Sequence, residues 1–318
     1  MLPKRKENAV QRVRKQLGCS DKLQYDICAD TGHQVMVAVL DTGIGQHPDL
    51  YGRIHAFRDF VNGRTKVYDD SGHGTHVAGC IGGNGLASYG KYKGIDPACL
   101  FCVGKVLDRN GEGTVESMYS GLEWVLDNAG RYHIRVLNIS VGIGESKDKK
   151  KLESLVTLLN QIWDSGIVVV CAAGNKGPEE NTISPLGLSE KVITVGCHEG
   201  GYFGNRKDLC ERYSGCGSTK MLYRKPDLVA PGTDIMSCNV TWRKNMRGGY
   251  RNAYITKSGT SMATPIVSGT AALVLQKYPN LTNWQVKNKM LYSARNIGID
   301  SNQQGWGMLD IENLFRSC

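Results

Sequence analysis

The chain is predicted to be α/β, a doubly wound, mostly parallel sheet with helices on both faces, forming a single domain. Three observations predict it. Apolar runs rich in β-branched residues recur along the sequence, and most are nearly continuous rather than alternating, as in strands buried on both faces. Stretches with apolar residues at helix spacing lie between these runs, and that alternation marks a parallel sheet with helical crossovers. The 318 residues, 41% of them hydrophobic, supply ample material for a core. Right-handed crossovers then put helices on both faces, and sites in such folds lie at the carboxyl ends of the strands.

Strands are predicted at residues 35–40, 100–106, 134–139, 166–173 and 192–195, with a further candidate at 234–238. Val115, Met118, Tyr119, Leu122, Val125 and Leu126 recur at helix spacing, and Asn128-Ala129-Gly130 reads as their stop. Leu152, Leu155, Val156, Leu159 and Ile162 make a second amphipathic helix, ended by Ser165-Gly166. From Ser261 to Tyr278 the chain is apolar nearly all round, which predicts a helix buried in the core. Pro265 is expected in its first turn, where a missing N–H costs nothing. A closing helix carries Trp284, Val286, Met290 and Leu291, with Thr282 as its N-cap. No internal repeat or low-complexity linker appears. Residues 33–318 are taken as the domain and 1–32 as a basic N-terminal extension.

The formal charge is +9. Much of the excess sits early, in Lys4, Arg5, Lys6, Arg12, Arg14 and Lys15. No aromatic residues interleave there, so no nucleic-acid partner is expected, and a solvated terminus is. No apolar stretch follows them as in a signal peptide, and no run approaches a membrane span. The expectation is a cytoplasmic protein with no membrane partner. Eleven cysteines are present. Cys99, Cys102, Cys171 and Cys197 lie in apolar strand-like runs and are expected to be buried, reduced thiols. Cys99 and Cys102 form a C-x-x-C, but an offset of three along a strand points them to opposite faces.

Three strings carry the chemistry. Asp41-Thr42-Gly43-Ile44 ends the first apolar run. His73-Gly74-Thr75-His76-Val77-Ala78-Gly79 opens a small-residue helix. Ser258-Gly259-Thr260-Ser261-Met262-Ala263-Thr264-Pro265 turns into the buried helix. Asp, His and Ser are what nucleophilic acyl transfer needs: a hydroxyl, a base for its proton and a carboxylate to orient the base. His76 is the nearer rival to His73. A serine at a helix start offers its own backbone N–H to an oxyanion at the favourable end of the dipole. Asn175, ending the run that breaks at Gly174, offers an amide N–H₂ for the same oxyanion. Singly, each has a bland alternative, as a turn residue, a core histidine or a cap. Their joint occurrence in this order carries the hypothesis.

These blocks, with Ala172-Ala173-Gly174-Asn175, resemble the signature blocks of subtilisin-like serine proteases, the subtilase family. The likeness runs over about residues 34–312 and takes in His47-Pro48-Asp49-Leu50, Lys105-Val106-Leu107, Asn138-Ile139-Ser140 and Pro226-Asp227-Leu228-Val229-Ala230-Pro231-Gly232. Tyr68-Asp69-Asp70 and Ser189-Glu190-Lys191-Val192 resemble the intracellular, alkaline-protease-like branch.

The resemblance implies Asp41 as orienter, His73 as base, Ser261 as nucleophile, Asn175 as oxyanion donor and His76 as structural. It implies a polypeptide substrate adding as a strand between Gly111-Glu112-Gly113 and Ser140-Val141-Gly142. It also implies a pocket lined by Ala172, Ala173, Gly174 and Ser184. No cofactor is required for the chemistry. The family's usual calcium loop is not evident in residues 82–93, so structural calcium is not assumed, and the 214–218 segment departs from the family pattern. The expected activity is endopeptidase. A same-fold transpeptidase and a catalytically silent peptide binder are the alternatives. The extension is expected to cover the domain surface rather than lie across the cleft. Oligomeric state is left open.

Overall fold

The computed structural model describes residues 9–142, 148–204, 206–246 and 248–316. Lys4, Arg5, Lys6 and Cys318 lie outside the described residues. Seven strands form one sheet in the order β2-β3-β1-β4-β5-β6-β7, every neighbouring pair parallel. They are β1 (Met36–Asp41), β2 (Ile54–Asp59), β3 (Leu100–Lys105), β4 (Ile134–Ile139), β5 (Val168–Ala172), β6 (Ile193–Cys197) and β7 (Leu228–Ala230). The order reverses at β1, which lies between β3 and β4, and that is the switch point where such sheets bind ligands. Every residue of β1 and β5 is buried, in keeping with their unbroken apolar sequence.

β2 and β7 escape the apolar-run criterion. β2 is an edge strand whose sequence, Ile-His-Ala-Phe-Arg-Asp, is only partly buried. β7 is three residues long. The 234–238 candidate is a strand, β8 (Ile235–Cys238), but it leaves the main sheet and pairs antiparallel with β11 (Tyr254–Lys257). A further two-stranded piece joins β9 (Arg243–Lys244) to β10 (Tyr250–Arg251).

Four helices matter most. α3 (His73–Gly82) and α6 (Thr260–Lys277) pack on each other and on the sheet, and α4 (Val115–Tyr132) packs against α5 (Lys149–Asp164). α4 opens on a capping box between Thr114 and Ser117 and runs past the Asn128-Ala129-Gly130 stop to His133, a left-handed cap at φ 51°. Met262 through Gln276 are all buried, as the all-round apolar pattern of α6 requires. Pro265 is six residues into α6, not in its first turn. The N–H it lacks is the one that would bond the Ser261 carbonyl, so its placement does cost a helical bond. α7 (Asn283–Ser293) starts at the expected Thr282, boxed with Gln285.

From Ala9 onward the N-terminal segment is helical and packed on the domain, so at Arg12 and Arg14 the expected solvated terminus is corrected. α1 (Ala9–Gln16) packs near β8 and α2 (Asp21–Thr31) against α6. Arg12 and Arg14 are 3% and 7% exposed. Arg14 donates to the Gly94 carbonyl at 2.8 Å and to Gln24 at 2.9 Å, and pairs with Asp21 at 3.0 Å. Guanidiniums with such partners can be buried where lone charges cannot. Cys99, Cys102 and Cys171 are buried free thiols, as expected. Cys197 is not: it is bonded to Cys210, brought beneath the end of β6 by the intervening loop. No helix among the described residues is long and apolar enough to cross a membrane.

Candidate active site

Because the sheet is parallel, the segments after β1, β3, β4 and β5 all emerge on one edge. Asp41 is the last residue of β1 and has no exposed surface. The first turn of α3 comes down onto it. Gly74 permits this approach: a Cβ there would overlap the Gly43 carbonyl and lie 3.2 Å from Asp41 Oδ1. His73 Nδ1–H then donates to Asp41 Oδ1 at 2.7 Å, and the Thr42 N–H donates to the same oxygen at 2.7 Å.

Burial works to lower the His73 pKa, but the charge of Asp41 and its hydrogen bond outweigh it, and the value is raised; Lys257 opposes the rise. His76 stands differently. Its Nε2–H donates to the Ile235 carbonyl at 2.9 Å and its Nδ1 faces Cys80 Sγ at 3.6 Å. Burial lowers its pKa to about 3, so it is a neutral, fully engaged core histidine.

Ser261 is the second residue of α6, whose N-cap is Gly259. Asn175 lies beside this turn. Its Oδ1 accepts the Thr260 N–H at 3.1 Å and the Thr260 hydroxyl at 3.0 Å. A backbone N–H can only donate, so the amide oxygen is fixed on Thr260 and the N–H₂ must occupy the other position. The orientation of the Asn175 amide is thereby set by the residue that precedes Ser261.

Three residues that support this edge were not singled out as site residues. Asp69 accepts from the Thr42 hydroxyl at 2.9 Å, the Gly72 N–H at 2.7 Å and the Thr75 N–H at 2.9 Å, fixing the start of α3. Thr42 Oγ1 accepts the Gly74 N–H at 2.9 Å. Lys105, aligned with Asp41 across β3 and β1, donates to the Thr42 and Leu107 carbonyls at 2.8 and 2.7 Å and to Asp70 at 2.7 Å. A lysine ending an apolar strand run demands such partners, and that was the available signal.

The predicted subsite residues line the same edge. Gly111 (φ 80°) and exposed Glu112 and Gly113 follow β3, where the Asp108 N–H bonds the Glu112 carbonyl at 2.8 Å. Ser140, Val141 and Gly142 follow β4; Ser140 is buried and its hydroxyl accepts from the Asn138 amide at 2.8 Å, and Gly142 is exposed. Ala172 and Ala173 are buried, and Gly174 has φ 95°. Ser184 closes against them, donating its hydroxyl to the Ala172 carbonyl at 2.7 Å and its N–H to the Ala173 carbonyl at 2.8 Å. The 214–218 segment braces this strip, with the Gly215 N–H on the Gly174 carbonyl at 2.7 Å. Gly215 is required there, since a Cβ would overlap the Ala173 carbonyl.

Residues 82–93 contain no carboxylate, and their one side-chain amide oxygen, on Asn84, already accepts the Leu86 N–H at 2.9 Å.

A half-buried histidine bonded to a buried aspartate, a serine at a helix start and an adjacent amide, all on the carboxyl edge of a doubly wound sheet, make a site of the acyl-transfer class. Comparison with known proteins agrees. The description "Subtilase family" matches residues 32–307. The chain is 40% identical over 296 residues to Serine protease AprX of Bacillus subtilis (strain 168), covering 89% of this chain and 66% of that protein. It is 34% identical over 284 residues to Subtilisin DY of Bacillus licheniformis, covering 88% and 90%. Among solved structures, Sphericase superposes with a TM-score of 0.72 at 26% identity, covering 90% of this chain and 96% of that one. A cold adapted subtilisin-like serine proteinase superposes at 0.66 and 30% identity, covering 88% of each. The chain belongs to the subtilase family of serine peptidases.

Proposed function

We propose that the chain is a serine endopeptidase acting on extended or unfolded polypeptides. Ser261 Oγ attacks the peptide carbonyl while His73 Nε2 takes its proton. Asp41 holds the imidazole with Nδ1–H toward itself and stabilises the imidazolium that forms. The oxyanion is met by the Ser261 N–H and the Asn175 amide. His73 returns the proton to the leaving amine. Water, deprotonated by His73, then attacks the acyl-enzyme and releases Ser261. The observation that carries this is the 2.7 Å His73–Asp41 bond at the switch point of the sheet.

A fluorophosphonate probe tests it directly. Labelling at Ser261, lost in Ser261→Ala and strongly slowed in His73→Ala, is expected; absence of labelling on folded protein overturns it. Product masses separate hydrolysis from transpeptidation, and no observation favours the latter.

The substrate would add as a strand between the segments at Gly111–Gly113 and Ser140–Gly142. A pocket for the cleavage-position side chain beside Gly174 and Ser184 would be walled by small residues, which would favour large apolar side chains, worth about 1.5–3 kcal/mol on burial. A library profile led by Lys or Arg there overturns the pocket assignment. The cytoplasm is our proposed location, supported by seven buried free cysteines among the described residues. The Cys197–Cys210 bond weighs the other way. Non-reducing mass analysis of protein drawn from its host decides between them.

A further inference from the structure

α1 begins at Ala9, far along the chain from Ser261, yet one of its side chains reaches the segment that supports the Ser261 turn. Arg12 Nη1 lies 3.1 Å from Glu199 Oε2, and Arg12 Nη2 donates to the Thr233 carbonyl at 2.8 Å. The guanidinium stands over the Phe203 and Tyr202 rings, 4.5 and 5.1 Å from their centroids. Glu199 is 0% exposed. Its Oε1 accepts the Gly232 N–H at 2.8 Å and the Thr233 N–H at 2.6 Å. The Gly232 carbonyl in turn accepts the N–H of Gly259, the N-cap of α6, at 2.9 Å. One residue further, the Asp234 N–H donates to Ser258 Oγ at 2.9 Å.

The segment from Gly232 to Asp234 is thus held on one side by a buried ion pair and on the other side holds the turn that carries Ser261. There is no slack between them. A Cβ on Gly232 would lie 2.6 Å from the Gly259 carbonyl oxygen and 2.6 Å from Cys197 Sγ. A buried ion pair adds little net stability over an apolar pair of the same size, because desolvation offsets the attraction. What it supplies is placement: Glu199 Oε1 is fixed by the Gly232 and Thr233 N–H groups, Arg12 by the Thr233 carbonyl, and the attraction of opposite buried charges holds the two side chains together.

Resting on the assignment of Ser261 as nucleophile, we propose that Arg12 and Glu199 are positioning residues for the nucleophile turn. Glu199 fixes the Gly232–Thr233 peptide that seats Gly259, and Arg12 fixes Glu199. Neither touches substrate. The N-terminal helix is by this route part of the working site rather than a cover over the domain.

The test compares fluorophosphonate labelling rate, kcat and KM in full-length variants, each normalised to its folded fraction. Arg12→Met with Glu199→Leu removes both charges and leaves no acceptor for the Gly232 and Thr233 N–H groups. Labelling and kcat are expected to fall together by about tenfold to a hundredfold, with KM within about twofold. Arg12→Met with Glu199→Gln restores an oxygen acceptor without the charge and is expected to recover most of that loss. Arg12→Lys, the mildest variant, keeps the charge but not the fork, and is expected to slow labelling about threefold or more. Wild-type rates in the Leu double variant overturn the proposal, as does a Gln double variant no faster than the Leu one. If the Leu double variant does not fold, wild-type labelling by Arg12→Lys overturns it instead. Failure of the wild type itself to label at Ser261 sinks the nucleophile assignment and is distinguishable from these results.

Discussion

His73 Nδ1 stands 2.7 Å from Asp41 Oδ1, and Asp41 has no exposed surface. A charge so placed acts on the imidazole at low local dielectric. Asp41→Asn should keep the fold and lower kcat by about four orders of magnitude, through loss of the correct tautomer and of imidazolium stabilisation. The pH dependence has a definite sign. The rate should rise as His73 loses its proton, at a pKa above the ordinary 6.5. In Asp41→Asn that limb should move to lower pH. The same pair stabilises the fold fully below the ordinary histidine pKa, and this share is lost as pH climbs through the raised one. A kcat/KM profile and a melting series against pH read the two effects separately. A limb that stays in place would exclude Asp41 as the cause of the raised pKa.

Asn175→Ala should still react with the probe but turn over about 100- to 1000-fold more slowly. Thr260→Val keeps the backbone donor to Asn175 and loses the hydroxyl, so a smaller loss, about tenfold, is expected. Equal kcat in wild type and Asn175→Ala would remove that amide from the oxyanion role.

Asp96 is 0% exposed, and burial raises its pKa to about 7 despite the Ala98 N–H bond and nearby Arg53. A carboxyl whose folded pKa is raised holds its proton better when folded. Its ionisation therefore costs stability as pH rises from about 4 to about 7, with no further change above. The cost is at most about 4 kcal/mol at 1.36 kcal/mol per unit. Asp96→Asn should melt with wild type near pH 4 and above it near pH 8. Parallel melting curves across that range would refute the assignment.

Asp227 joins two buried lysines: its Oδ2 lies 2.6 Å from Lys225 Nζ and its Oδ1 2.9 Å from Lys287 Nζ. Asp227→Ala leaves both ammoniums without their counter-charge beneath β6 and β7. Denaturant unfolding should show a loss of about 3–5 kcal/mol. A loss under about 1 kcal/mol would mean that the backbone carbonyls around the lysines suffice.

What was legible in the sequence divides along physical lines. Strands buried on both faces announce themselves by continuous apolar residues, and β1, β3, β4, β5 and β6 were found that way. β2 was not, because an edge strand needs only part of its residues apolar. The proposed catalytic residues sit in Gly-rich turns whose close approaches, as at Gly74, forbid other residues, so Asp41, His73, Asn175 and Ser261 stood out. The residues that hold them did not. Asp69 and Lys105 work through hydrogen bonds between segments distant in sequence, and Arg12 finds Glu199 only once the chain is folded. Arg12 and Arg14 therefore read as part of a solvated tail, and Cys197 as a lone thiol, because each partner came from elsewhere.

The burial of α6 has a consequence for how such an enzyme ages and diversifies. Ser261, the proposed nucleophile, sits on the end of a rod embedded in the core, so the turn that carries it should soften only as the core does. Inactivation and global melting should coincide, with no half-active intermediate. Selection meets the same coupling. A change along the rod alters durability and reactivity at once, whereas the segments after β3 and β4 hang from the rim and can vary one by one. New substrate preferences are cheapest to reach there, over a chassis that stays still.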